Sequence, residues 1–187
     1  MKVFKDIATK GKSTMGWYIG FKLHLLCNEK GEIINFNLTK ANVDDRNENV
    51  MNALTDKVFG KLYADKGYIS QTLFGRLCDK GVHIVTGLRS NMKQKLMPLY
   101  DKIMLRKRSV IESVNDMLKN VAQIVHTRHR SLHNFIMNIL AAMGAYCFFS
   151  TKPHVNFYLD ELIAGRGNGL VKIITSVRRC GKSFLLF

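Results

Sequence analysis

The sequence predicts an α/β domain, and three observations carry that expectation. Trp17, Ile19, Phe21, Leu23 and Leu25 fall at alternate positions, the period of a strand with one buried face. Short apolar runs at 61–64 and 82–86 flank a helical pattern at 70–80, an order that argues for parallel strands joined by a right-handed crossover. Two longer segments, about 102–121 and 131–149, repeat their apolar residues at helical spacing.

Taken in order, residues 1–14 are basic and without a clear period, which predicts a mobile lead-in. The strand at 17–27 follows, with His24 on its outward register. Asn28-Glu-Lys-Gly31 reads as a turn and 32–38 as the returning strand of a β-hairpin. Asp44 or Asp45 is placed to cap a helix running to about Val58 and ended by Gly60. The 61–64 strand stops at Asp65. Ser70 is placed to cap the next helix, and Gly81 to stop it. A basic loop over 87–100 leads to the helix at 102–121, where Val110, Ile111, Val114, Met117, Leu118 and Val121 share one broad face. Arg108, Glu112, Asn115 and Lys119 occupy the opposite one. Composition changes near Pro153, so residues 154–187 read as the opening of a separate unit, with an apolar run at 170–175.

The chain of 187 residues carries 29 Lys and Arg against 14 Asp and Glu, a formal charge of +15, which favours a polyanionic partner, most simply nucleic acid. At 47% hydrophobic it can bury a real core. Cys27, Cys78, Cys147 and Cys180 lie far apart with no CxxC pair, which points to thiols in a reducing cytoplasm and away from a disulfide framework. The most apolar stretch, 135–149, falls short of the roughly 20 residues a membrane span needs.

Two acids stand out. Asp65 ends a short strand and is followed by Lys-Gly-Tyr68; ligands of open α/β sheets gather at such strand ends. Glu112 lies on a helical stripe between Arg108 and Lys119. Each has a plain alternative: a turn-capping acid, and one half of an exposed i,i+4 ion pair. Carboxylates from two elements in basic surroundings also suit phosphoryl transfer, which needs hard oxygen ligands for Mg²⁺ and cations for developing charge.

Residues 1–153 resemble the C-terminal part of the DDE transposases of bacterial insertion sequences. The residues that carry the likeness are Gly16-Trp-Tyr-Ile-Gly-Phe-Lys-Leu-His24, Asn42-Val-Asp-Asp-Arg46, Asp65-Lys-Gly-Tyr68, Arg108-Ser-Val-Ile-Glu112 with Lys119, and His126-Thr-Arg-His-Arg-Ser131. The tyrosine usual three positions before the arginine is Leu105 here. The resemblance implies a partial RNase-H-like domain over 1–153, an Mg²⁺ or Mn²⁺ cofactor, and Asp65 and Glu112 as catalytic metal ligands. It places the first acid on a strand ahead of the hairpin. Nothing before Trp17 reads as that strand, so the expectation is a domain truncated at its N-terminus and inactive alone.

The basic residues Arg89, Lys93, Lys95, Arg106, Lys107, Arg108, Lys119, Arg128 and Arg130 are the expected DNA surface. DNA, a full-length transposase or a second copy are the implied partners, in the cytoplasm and away from membranes. His126, His129 and His133 would align on a helix, but without a fourth ligand they read as a phosphate-touching segment rather than a zinc site. Ser176-Val-Arg-Arg-Cys-Gly181-Lys182-Ser183 resembles a degenerate P-loop, so 154–187 looks like the start of an AAA-like ATPase, with Gly181, Lys182 and Ser183 as candidate nucleotide ligands. The alternatives are a nucleotide-binding protein acting through that tail, and a basic nucleic-acid-binding module without catalysis.

Overall fold

The computed structural model describes residues 4, 7–13, 16–88, 96–125, 129, 131–154 and the strand 172–177. In chain order the elements are β1 (Thr9–Ser13), β2 (Gly16–Asn28), β3 (Ile33–Lys40), α1 (Glu48–Leu54), β4 (Gly60–Ala64), α2 (Gln71–Asp79), β5 (Val82–Thr86), α3 (Leu99–Lys107), α4 (Val110–Asn120), α5 (Leu132–Cys147) and β6 (Lys172–Val177). A single 3-10 turn, Lys66–Tyr68, joins β4 to α2.

One six-stranded sheet runs in the order β1-β2-β6-β4-β5, with β3 also paired to β2. β2 is antiparallel to β1, β3 and β6. β4 is parallel to β5 and to β6. The strand from the far end of the sequence therefore sits in the middle of the sheet, between the hairpin and the parallel pair. Ile174 is bridged to Leu26 on one side and Ala64 on the other.

Helices cover both faces. Phe21, Leu23, Leu25, Cys27 and Tyr63 pack with the apolar stripes of α3, α4 and α5. Leu26, Leu62 and Ala64 pack with α1 and α2. Each large aliphatic side chain so buried contributes about 1.5–3 kcal/mol. The sidedness follows from pleat geometry: odd positions of β2 meet one helical layer, and even ones meet the other face.

Several expectations are corrected. Residues 9–13 form β1 instead of a lead-in without structure, and Phe4 packs edge-on against Phe21 and Phe135. β2 is buried on both faces along most of its length because helices lie on both sides, so His24 is fully buried rather than outward. Trp17 and Ile19, on the apolar register, extend past the helices and are exposed. Neither Asp44 nor Asp45 caps α1: Asn47 does, accepting from the Asn49 N–H at 3.0 Å. α1 also ends early, where the Thr55 hydroxyl donates to Met51 O and Lys57 takes a left-handed backbone.

The helix expected over 102–121 is two helices. At the joint, the N–H groups of Ile111 and Glu112 donate three residues back, to Arg108 and Ser109 carbonyls, a tightened turn between the two helices. The cap at Ser70 stands as expected, and Ser131 also caps its helix, accepting from the Asn134 N–H. Gly31 closes the hairpin turn at φ 72°, and a side chain there would strike the Pro153 carbonyl at 2.0 Å. Tyr146 donates to the Gly31 carbonyl at 2.6 Å, so the end of α5 is pinned to the hairpin.

Candidate functional site

β4 is buried through Leu62, Tyr63 and Ala64, and the chain emerges into solvent at Asp65. One carboxylate oxygen accepts the Lys66 N–H at 2.7 Å, the local cap that an acid supplies where a strand turns into a helical turn. The same oxygen lies 3.4 Å from the Arg108 guanidinium. That ion pair joins two segments more than forty residues apart, the end of β4 and the α3–α4 joint.

A second network fixes how those segments meet. Asp101, in the first turn of α3 and buried, accepts Lys61 Nζ at 2.8 and 3.0 Å and the Tyr63 hydroxyl at 2.6 Å. Lys61 and Tyr63 are alternate residues of β4, so α3 is clamped to the strand that ends in Asp65. Burial, then the hydrogen bond to Asp101, pushes the Tyr63 phenol well above the ordinary tyrosine range. No motif marks Asp101 in the sequence; an acid at helix start looks like an ordinary dipole-favoured residue.

Glu112 lies one turn after Arg108, on the exposed side of α4. It borders an open groove with Ser109, Asp116, Thr151, Lys152 and His154. Arg108 pairs with Asp65 across the fold and not with Glu112 along the helix, and Glu112 has no ion pair among the described residues. Lys119 is half-buried in the last turn of α4. Arg106 is exposed and Lys107 half-buried at the end of α3.

The segment Gly16–His24 of β2 and the segment Asn42–Arg46 after β3 also come together. Lys22 Nζ donates to the Val43 carbonyl at 2.6 Å and to Asp45 at 3.0 Å. His24 Nε2 lies 2.8 Å from the Thr39 hydroxyl, and its Nδ1 is 3.8 Å from Asp45. Burial outweighs the neighbouring carboxylate and holds the imidazole down at about 4, so His24 is neutral at pH 7 and its approach to Asp45 is not an ion pair. Arg46 donates to Asp44 from backbone and side chain, which lowers that carboxyl to about 2.

Some expected residues lie outside the described structure: Arg89, Lys93, Lys95, His126, Arg128, Arg130, Gly181, Lys182 and Ser183. Of the three histidines, the described His129 packs its ring edge-on against Phe135.

The sequence profile of the transposase DDE domain matches residues 1–132. The chain belongs to that family. No curated protein and no solved structure matches it. The match spans β1 through α4 and ends on the first residue of α5, and so includes Asp65 and Glu112; the rest of α5 and β6 lie beyond it.

DDE transposases act on DNA and use divalent metal ions. Among the described residues of this family member, no three His, Cys, Asp or Glu side chains gather as a metal site. Asp65 is instead paired with Arg108, and Glu112 faces a separate groove. This arrangement does not fit a two-metal centre. Part of the mismatch lies in the strands: β6, the neighbour of β4, reads Lys-Ile-Ile-Thr-Ser-Val, and β1, paired to β2, reads Thr-Lys-Gly-Lys-Ser, with no acid in either. Continuing the β4–β6 register by one residue from Ala64↔Ile174 sets Thr175 beside Asp65. Among the described residues no helix is long and apolar enough to cross a membrane.

Proposed function

We propose that this DDE-domain chain is an RNase-H-like DNA-binding domain that does not cut or join DNA by itself. The observation that carries the reading is the ion pair between Asp65 and Arg108. It brings together the two motif segments that, by family, hold catalytic acids, but it does so with a cation against the carboxylate. In-line phosphoryl transfer needs several carboxylates around metal ions roughly 3.5–4 Å apart. Asp65 and Glu112 are the family's second and third acids in this reading, with Mg²⁺ or Mn²⁺ held weakly at most. An RNase-H-like arrangement is supported by the antiparallel hairpin, the parallel β4–β5 pair and the helices on both faces.

DNA binding draws support from the overall charge of +15 and from the cations near the site, Arg108 and Lys119. We assign Arg89, Lys93, Lys95, Arg128 and Arg130 to the same surface on their sequence positions. Contacts of this kind grip phosphates without reading bases. A second copy or a full-length transposase is the natural protein partner. Nucleotide binding by Gly181, Lys182 and Ser183 is not favoured: the family match covers none of the tail.

Two measurements test the reading. Duplex affinity, followed by anisotropy, should fall steeply between 50 and 200 mM salt, by about tenfold or more for several phosphate contacts. An affinity indifferent to salt would refute DNA binding through phosphates. Purified protein with Mn²⁺ should leave supercoiled plasmid and terminal-repeat substrates intact; nicking abolished by Asp65→Ala would refute the inactive assignment.

A further inference from the structure

The edge of the sheet near Asp65 carries a feature that the acids do not explain. Trp17 is 62% exposed on β2, although its register partners further along the strand form the core. β1 pairs antiparallel alongside it, with Lys12 opposite Trp17 and Lys10 opposite Ile19. Both ammonium groups stand over the indole, Lys10 at 4.7 Å and Lys12 at 5.7 Å from the ring centroid.

These side chains line a cavity of about 500 Å³ whose far wall includes Gly67, two residues after Asp65. The two carboxylates that also line it are already engaged, Asp44 by Arg46 and Asp45 by Lys22. Lys10 and Lys12 have no ion pair among the described residues, so the cavity presents net positive charge around an open aromatic face.

An exposed indole costs hydration free energy unless something covers it. The matching partner carries a flat π-surface together with negative charge, which is the chemistry of a nucleotide. A base inside a duplex hides its face against its neighbours; only an unpaired one offers it. We infer that Trp17 is a stacking platform for an unpaired base of single-stranded DNA, with Lys10 and Lys12 holding the flanking phosphates. The cavity leads that strand toward the Asp65 loop. This rests on the DNA-binding reading above and specifies which form of DNA this edge receives.

Trp17 is the chain's one tryptophan, so its fluorescence reports the site directly. The probes are an oligothymidine strand, an abasic strand of equal length and a blunt duplex. Oligothymidine should quench and shift the emission, and the abasic strand should bind without doing so. Trp17→Ala should weaken oligothymidine binding by between about fivefold and about a hundredfold, the range for one stacked base, and leave duplex affinity unchanged. Trp17→Phe should restore most of the loss, which separates stacking from a fold defect. Equal quenching by the abasic strand, or equal losses for strand and duplex in Trp17→Ala, would overturn the platform while leaving duplex binding in place. Absence of binding to every probe at low salt would overturn the DNA-binding reading as well.

Discussion

Replacing Ile174 with proline tests whether β6 holds the sheet together. Ile174 is bridged on both sides, to Leu26 of β2 and to Ala64 of β4, and both partners are buried to within 1%. Proline has no N–H, so one ladder hydrogen bond is lost, about 0.5–1.5 kcal/mol. Its former acceptor carbonyl is left dry, a further 1–3 kcal/mol or so. Proline is also confined to edge strands, and this position is central. The expected cost is therefore about 2–4 kcal/mol, from a total that for domains in general is about 5–15 kcal/mol. For a chain of this size that lowers Tm by about 4–16 °C. Urea titration and thermal melts followed by far-UV circular dichroism measure it. A variant within about 0.5 kcal/mol of the parent, the range of an ordinary surface change, would refute the claim that residues 172–177 complete the sheet.

Asp101→Ala should cost about 2–3 kcal/mol by stranding the Tyr63 hydroxyl, and Asp101→Asn less; equal costs in urea titrations would argue against the clamp. Because the folded state holds His24 near 4 against about 6.5 unfolded, its contribution is whole above pH 6.5 and drains as pH falls toward 4. About 2 kcal/mol should be gone by pH 5, and His24→Gln should flatten that part of the stability profile; an unaltered profile would refute it. Thr175→Asp should introduce Mn²⁺ binding visible by calorimetry, lost again on adding Asp65→Ala; a silent double-acid variant would count against the register that sets position 175 beside Asp65. Asp65→Asn should change stability by under about 1 kcal/mol, since its pair with Arg108 is largely solvated; a larger loss would give the pair a structural role.

The hairpin, the strand–helix–strand unit and the cap at Ser70 were legible because each rests on local periodicity or local hydrogen bonding. Asp65 was legible for the same reason: a strand end is a local event. The charge excess was additive and needed no fold. The misreadings came where a second layer intervened. His24 looked outward because alternation alone cannot tell that helices cover both faces of β2. Trp17 looked buried because the sequence does not say where those helices stop. The break at Arg108 and Ser109 has no glycine or proline to announce it.

What the sequence by itself determined is the element types, the family motifs and the basic character. Only the tertiary structure decided three further things: that Arg108 meets Asp65, that Asp101 clamps α3 to β4, and that residues 172–177 lie between β2 and β4. The physical reason is common to all three. Each is a pairing across more than thirty residues of chain, and its free energy resides in a contact surface that neither partner's own neighbourhood encodes.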